Sequence, residues 1–261
     1  MKYHVSKDGT RIAYDRRGAG PPLLLIHGTG IDHTYWDPIA STLEQYFTVY
    51  AVDRRGRGRS GDTEPYAIQR EFEDVSSFID DIPEEVFLLG HSYGALCSLE
   101  AALLTKNISK LVLNEPPMYT TADITYPAEA RERYLASIRA GDPEKALLTL
   151  YEVGGTSPEE LGLLRSLSNW PARIAAVPTM MREIESVRNY IFHPSRFENM
   201  KTPTLLLVGG QTAPVYRAAI ETLHASLPNS CLVIMSGLDH DAVISAPERY
   251  VNEVLRFSIG G

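Results

Sequence analysis

The pentapeptide Gly90-His91-Ser92-Tyr93-Gly94 constrains this chain more than any other feature, because of what stands on either side of it. Residues 86–89 form a short apolar run suited to a strand buried on both faces, and residues 95–104 form an apolar run of helical character. Strand must therefore become helix within one sharp bend. Glycines at 90 and 94 remove side chains for which the bent backbone and the closely packed helix leave no room. The bend lifts the Ser92 hydroxyl above the carboxyl end of a sheet, beside a helix N-terminus that favours negative charge.

The rest of the chain fits a strand and helix alternation. Apolar runs at 23–26, 47–52, 111–113, 205–208 and 232–235 read as further buried strands, and residues 2–15 alternate about the turn Lys7-Asp8-Gly9-Thr10 as a hairpin. Ile68, Phe72, Val75, Ile79 and Ile82 share one helical face. Ser245 to Glu248 has the pattern of a capping box, opening a helix that carries Tyr250, Val251, Val254 and Leu255. These elements predict an α/β fold with a mostly parallel central sheet and helices on both faces. Between 118 and 200 no strand is convincing and helix starts recur, at Asp142-Pro143 and Ser157-Pro158. That stretch is expected to be a helical cap subdomain inserted into a core made of 1–117 and 201–261.

Charge and composition narrow the partners. With 33 Asp+Glu against 25 Lys+Arg the net charge is −8, which disfavours nucleic acid, since such binding draws on cationic neutralisation of phosphates. No run approaches the roughly 18 apolar residues of a membrane span, and the N-terminal residues lack the apolar stretch of a signal peptide. Cys97 and Cys231, in apolar surroundings, read as reduced core thiols. The expectation is a cytoplasmic protein, monomer or homodimer, that acts on a small molecule.

A serine hydroxyl is a weak nucleophile at neutral pH and needs a base in reach. Among seven histidines, His240 follows the last apolar strand, far downstream of Ser92, whereas His91 is expected to point away from the face of the serine. His27-Gly28-Thr29-Gly30 follows the strand at 23–26, and the N–H groups of Thr29 and Tyr93 are the expected donors to an oxyanion. Gly56 to Gly61 has the spacing of a dinucleotide-binding loop, but no helix opens after it, so no cofactor is expected. Its arginines, Arg54, Arg55, Arg57 and Arg59, are expected to pair with carboxylates in a structural loop. No His, Cys and Asp cluster has metal-ligand spacing, so no metal is expected.

Taken together, His27-Gly28, the segment from Val52-Asp53 through Gly61, Gly90 to Gly94, and Gly237-Leu238-Asp239-His240 resemble the α/β-hydrolase superfamily over nearly the whole chain. The chain is similar to the capped group that holds epoxide hydrolases, haloalkane dehalogenases and many esterases. That resemblance implies a cap between the sixth and seventh core strands and a substrate cavity beneath it. Two departures matter. Ser92 stands where epoxide hydrolases and haloalkane dehalogenases have an aspartate, which argues against those two activities. Many members carry the triad acid just after the seventh core strand, where this chain has Gln211 and Thr212 and no carboxylate. Glu115, at the end of the sixth core strand before Pro116-Pro117, meets the geometric requirement, and some dehalogenase-like relatives place their acid there; Asp239 and Asp241 are its rivals.

The expected function is a serine hydrolase that cleaves a small apolar ester, lactone or thioester through Ser92, His240 and Glu115. Gly28, Trp36, Met118, Tyr119 and Trp170 are expected to line an apolar pocket. The alternatives are a carbon–carbon bond hydrolase of a ketone substrate, and a non-hydrolytic lyase or ligand-binding protein on the same fold.

Overall fold

The computed structural model describes residues 1–118 and 127–259. Its centre is a sheet whose middle strands are buried along their entire length, as strands covered on both faces must be. In chain order the strands are β1 (Lys2–Val5), β2 (Arg11–Arg17), β3 (Pro22–Ile26), β4 (Thr48–Val52), β5 (Val86–His91), β6 (Ile108–Asn114), β7 (Thr204–Gly209) and β8 (Ser230–Met235). They lie in the order β1-β2-β4-β3-β5-β6-β7-β8, with β2 antiparallel to both of its neighbours, β1 and β4, and every other neighbouring pair parallel. The helices are α1 (Asp37–Leu43), α2 (Ile68–Asp80), α3 (Tyr93–Ala101), α4 (Ala128–Arg139), α5 (Pro143–Val153), α6 (Pro158–Ser166), α7 (Trp170–Asn189), α8 (Pro214–Ser226), α9 (Ala242–Ser245) and α10 (Pro247–Ile259).

Strand alternation divides the core in two. Leu24, Ile26, Leu88, Leu113 and Val208 meet Phe72, Val75, Leu96 and Ile220 on one face, while Leu23, Leu25, Leu89, Val112 and Leu207 meet Ile39, Leu43, Val251 and Val254 on the other. The chain runs from β3 outward to β4, then returns to place β5 on the opposite side of β3. The carboxyl ends of β3 and β5 therefore border the switch point at which open α/β sheets bind ligands. Helices α4 to α7 are inserted between β6 and β7, and α4, α5 and α7 share a small core of Tyr134, Leu147, Leu150, Val177, Met180 and Met181. Asp142 starts α5 as a cap, its carboxylate accepting from the Lys145 amide at 3.0 Å. After the middle of α7 the chain rejoins the sheet face, where Val187, Phe197 and Met200 are buried. Among the described residues no helix is long and apolar enough to cross a membrane.

Two expectations are corrected. Ser245 does not cap α10: it closes α9, its hydroxyl lies 3.4 Å from the Asp241 carbonyl oxygen, and α10 begins at Pro247, whose missing N–H suits a first helical position. Cys97 is buried, but Cys231 is exposed, because β8 is an edge strand covered along only part of its length.

The arginines after β4 do pair with carboxylates, and Arg54 does so most consequentially. Its guanidinium is buried and binds Glu71 of α2 at 2.6 Å, Glu183 of α7 at 2.8 Å, and the carbonyls of His27 and Gly28 at 2.9 Å each. Arg57 Nη2 lies 2.7 Å from the same Glu183, and Arg55 forks onto Asp74 with two contacts of 2.7 Å. Arg59 contributes its amide, which donates to Asp53 at 3.0 Å. Removing one partner from a buried pair leaves an uncompensated charge and costs about 3–5 kcal/mol. Arg54→Met is therefore expected to lower the unfolding free energy by about that amount, read from the midpoint of urea denaturation with the slope unchanged.

Candidate active site

Among the described residues, two that are not glycine have a positive φ, Ser92 at 52° and Glu115 at 47°. They follow neighbouring parallel strands, β5 and β6, and the Ser92 amide donates to the Asn114 carbonyl at 2.8 Å. Such conformations cost on the order of 1–3 kcal/mol and persist only where the surroundings enforce them. At Ser92 the enforcement comes from helix packing. A Cβ on Gly94 would sit 2.3 Å from the Ile26 carbonyl oxygen, and one on Gly90 would sit 2.6 Å from the Ala95 Cα, so α3 lies directly against β3 and the bend.

At Glu115 the enforcement is a set of hydrogen bonds. The side chain is fully buried: Oε1 accepts from the Gly209 amide at 2.6 Å, and Oε2 accepts from the Thr212 hydroxyl at 2.8 Å. Oε2 also lies 2.5 Å from His240 Nδ1. Thr212 stands in the segment after β7 that lacks a carboxylate, so the residue in that place helps to hold an acid arriving from the adjacent strand. The two rival carboxylates are directed elsewhere. Asp239 accepts from the Asp241 amide at 3.1 Å, and Asp241 accepts from the Tyr35 hydroxyl at 3.2 Å.

The His240 ring stacks on Tyr216 at 4.5 Å and meets the ring of His91 at 4.7 Å. Burial pulls its pKa down, but the hydrogen bond and charge of Glu115, with Asp241 and Asp239 further off, outweigh burial and hold it above 6.5. His91 was expected to point away from the serine's face; instead it lines the same cavity, with its ring stacked on Tyr35 at 4.6 Å. Burial and the nearby charges of His240 and Arg173 push its pKa well below 6.5. Of these two neighbouring imidazoles, His91 is held toward its neutral form while His240 is the one whose proton affinity is raised.

The loop after β3 closes the other side. The Gly28 carbonyl accepts from His27 Nδ1 at 2.8 Å and from Arg54 at 2.9 Å. A trans peptide directs its N–H opposite to its C=O, so the Thr29 amide points away from Arg54. A Cβ on Gly28 would lie 3.0 Å from the Ser92 Cβ, which shows how closely the loop passes the serine. Tyr93 opens α3, and its amide belongs to the first turn, where helical N–H groups have no partner within the helix.

Gly28, Thr29, Ser92 and His240 border one cavity of about 490 Å³, with walls that include Ile31, Leu150, Leu164, Met180, Tyr151 and Arg173. Trp36 and Met118 do not reach it: both are in the core, Trp36 edge-on to Tyr35 and Met118 on the α2 and α3 face. Trp170 stacks behind Tyr151 at 6.2 Å, and it is Tyr151 that faces the cavity. Tyr119 lies outside the described residues. Tyr216 and Arg173 were not singled out in the sequence, and Thr212 was marked only as the place that lacks an acid, not as a partner of Glu115. Asp32, His33 and Asp53 also come together, within 4.8 Å of one another, a grouping invisible in the sequence spacing. Their oxygens hold the loop instead, Asp32 accepting from the Thr34 amide and Asp53 from the His33 amide and ring.

The sequence profile described as the Alpha/beta hydrolase family matches residues 23–253. An uncharacterized protein of Mycobacterium tuberculosis is 27% identical over 276 residues, covering 95% of this chain and 78% of that protein. Among solved structures, an alpha/beta hydrolase from Sphaerobacter thermophilus is similar at 31% identity with a TM-score of 0.84, over 98% of this chain and 99% of that one. An esterase from a Rhodococcus species is similar at 26% identity with a TM-score of 0.78, over 98% and 97% of the two chains.

The contact between Glu115 and His240 makes a spectroscopic prediction. Titration of the His240 ring by NMR should show a midpoint above 6.5, and Glu115→Gln should move it down, because burial persists while the counter-charge is lost. A midpoint unmoved by that substitution would assign the raised value to another group.

Proposed function

The chain belongs to the alpha/beta hydrolase family, and from that premise we propose that it is a serine hydrolase of small esters, lactones or thioesters, with Ser92, His240 and Glu115 as its triad. The observation that carries this reading is the 2.5 Å contact of Glu115 with His240 Nδ1, in the cavity that Ser92 also borders. Nδ1 held in this way leaves Nε2 as the basic nitrogen. The Ser92 Oγ attacks the carbonyl carbon while its proton passes to His240 Nε2, and the imidazolium that forms is stabilised by the Glu115 carboxylate. The tetrahedral oxyanion accepts from the amides of Thr29 and Tyr93, donors worth about 3 kcal/mol each in such sites. Collapse expels the alcohol or thiol, which takes the proton from His240. A water then repeats the sequence on the acyl-enzyme, with His240 again as base, to release the acid and free Ser92.

The insert between β6 and β7 serves in this reading as the cap, and Ile31, Leu150, Leu164 and Met180 give the bound substrate its apolar contacts. The likeness to the Rhodococcus esterase supports an ester as the bond cleaved.

Ser92→Ala is expected to abolish labelling by a fluorophosphonate probe and turnover of a chromogenic ester, with stability within about 1 kcal/mol of the parent. Labelling that survives the substitution refutes the nucleophile. Glu115→Gln should lower kcat by about two to four orders of magnitude with a much smaller change in KM, as loss of the orienting carboxylate does in the serine-protease template. The active base is the neutral imidazole, so a raised pKa moves the acid limb of kcat/KM upward: activity should fall as pH drops through a midpoint above 6.5. A flat profile down to about pH 5 would remove His240 as the base.

A further inference from the structure

Arg173 is the least explained charge in the molecule. It lies on α7, lines the cavity that holds Ser92 and His240, and is only 5% exposed. Its Nη1 donates to the Tyr151 hydroxyl at 3.0 Å, while Nε and Nη2 are buried with no hydrogen-bond partner. No carboxylate lies within ion-pair distance of it among the described residues. The other buried arginines, Arg54, Arg55 and Arg57, each have one. A guanidinium does not lose its proton in a protein, and a buried cation without a counter-ion is costly. What compensation the protein supplies comes from the Tyr151 hydroxyl and, through space, from Asp241, and none of it reaches Nε or Nη2.

The free atoms are the two nitrogens along one side of the guanidinium. Their N–H groups point in parallel, at the spacing of the two oxygens of a carboxylate, and such paired contacts are the strong form of this interaction. Asp241 and Asp239 border the same cavity, and Asp241 is close enough to act on Arg173 through space. With two aspartates nearby and one guanidinium to oppose them, a dianion such as a phosphate monoester is disfavoured and a planar monoanion fits. The helix fixes the position. Arg173, Met180 and Glu183 are seven and three residues apart on α7, one face, with Met180 over Gly30 and Glu183 bound to Arg54. The anchor at Glu183 thus sets where Arg173 stands in the cavity.

We propose that Arg173 anchors a carboxylate carried by the substrate, so that the ester, lactone or thioester cleaved at Ser92 is an anionic one. The inference rests on the hydrolase reading above and adds the substrate class to it: an apolar body against Leu150 and Leu164, and a carboxylate held by Arg173. Arg173 positions the substrate and takes no part in bond making.

Two ester pairs test it, one with the carboxylate on the acyl side (monomethyl glutarate against methyl hexanoate) and one with it on the alcohol side (acetoxybutyrate against pentyl acetate). Hydrolysis is followed by acid release. The parent should favour the anionic member of at least one pair by about 10- to 100-fold in kcat/KM, the range a charged hydrogen-bonded contact supplies. Arg173→Met should erase that preference through the anionic ester while changing the neutral one less than about threefold, and Arg173→Lys should keep only part of it. The melting temperature of Arg173→Met should hold or rise, since a buried charge without an ion-pair partner has been removed. Equal losses on both members, or a fall in melting temperature, would mark Arg173 as structural and overturn the proposal, as would a parent without preference in either pair. Calorimetric titration of monomethyl glutarate and acetoxybutyrate into Ser92→Ala, with and without Arg173→Met, reads the anchor without turnover. Binding that depends on Arg173 in a protein that hydrolyses no ester would uphold the anchor and refute the hydrolase. Binding of neither anion would refute the anchor alone.

Discussion

One buried guanidinium joins the parts of this protein that the sequence keeps far apart. Arg54 takes the carbonyls of the loop after β3, a carboxylate from α2 and a carboxylate from α7 of the insert. Each contact is charge-assisted, and all of them are buried. Because the Gly28 carbonyl is drawn to Arg54, the next amide must face the opposite way. Because Glu183 is drawn there too, α7 lies across the same loop, with Met180 so close to Gly30 that a Cβ there would be 2.8 Å from the Met180 Cε. The orientation of the loop and the seating of the insert are in this sense one event.

The bend at Ser92 could be read in the sequence because its causes are local: an apolar run, two glycines and a helical run within a few residues. That Glu115 would lie near the segment after β7 could be expected from the resemblance, which implies an acid in that region, and from the end of β6 falling beside β7. The cavity walls could not. Trp36 and Met118 were expected there from their positions after loops, yet large apolar side chains near a loop end bury into whichever core layer is in reach, and both did. Trp170 was closer, one ring removed, behind Tyr151. Arg173 carried no local signal, because the direction in which a helix residue faces is decided by how the helix docks, and that depends on Glu183 meeting Arg54. The capping box at Ser245 shows the reverse error, a local pattern without the backbone to use it.

The cavity places its charges unevenly. Glu115 is sealed behind His240, Asp241 is tied to the Tyr35 hydroxyl, and Arg173 faces them from the insert. His91 is packed against His240 and Tyr35 as a neutral ring, its proton held off by burial and by the nearby charges of His240 and Arg173. It therefore fills space against His240 without competing for the proton that His240 exchanges.

The left-handed backbone at Ser92 also bears on how such a protein could be improved. At φ 52° and ψ −124° the serine occupies a conformation suited to glycine, so Ser92→Gly relaxes the bend and gains stability even as it deletes the hydroxyl. A laboratory selection that rewarded heat resistance alone would drift toward that exchange and enrich robust, inert molecules. Only a selection that also scores turnover would retain the strained serine.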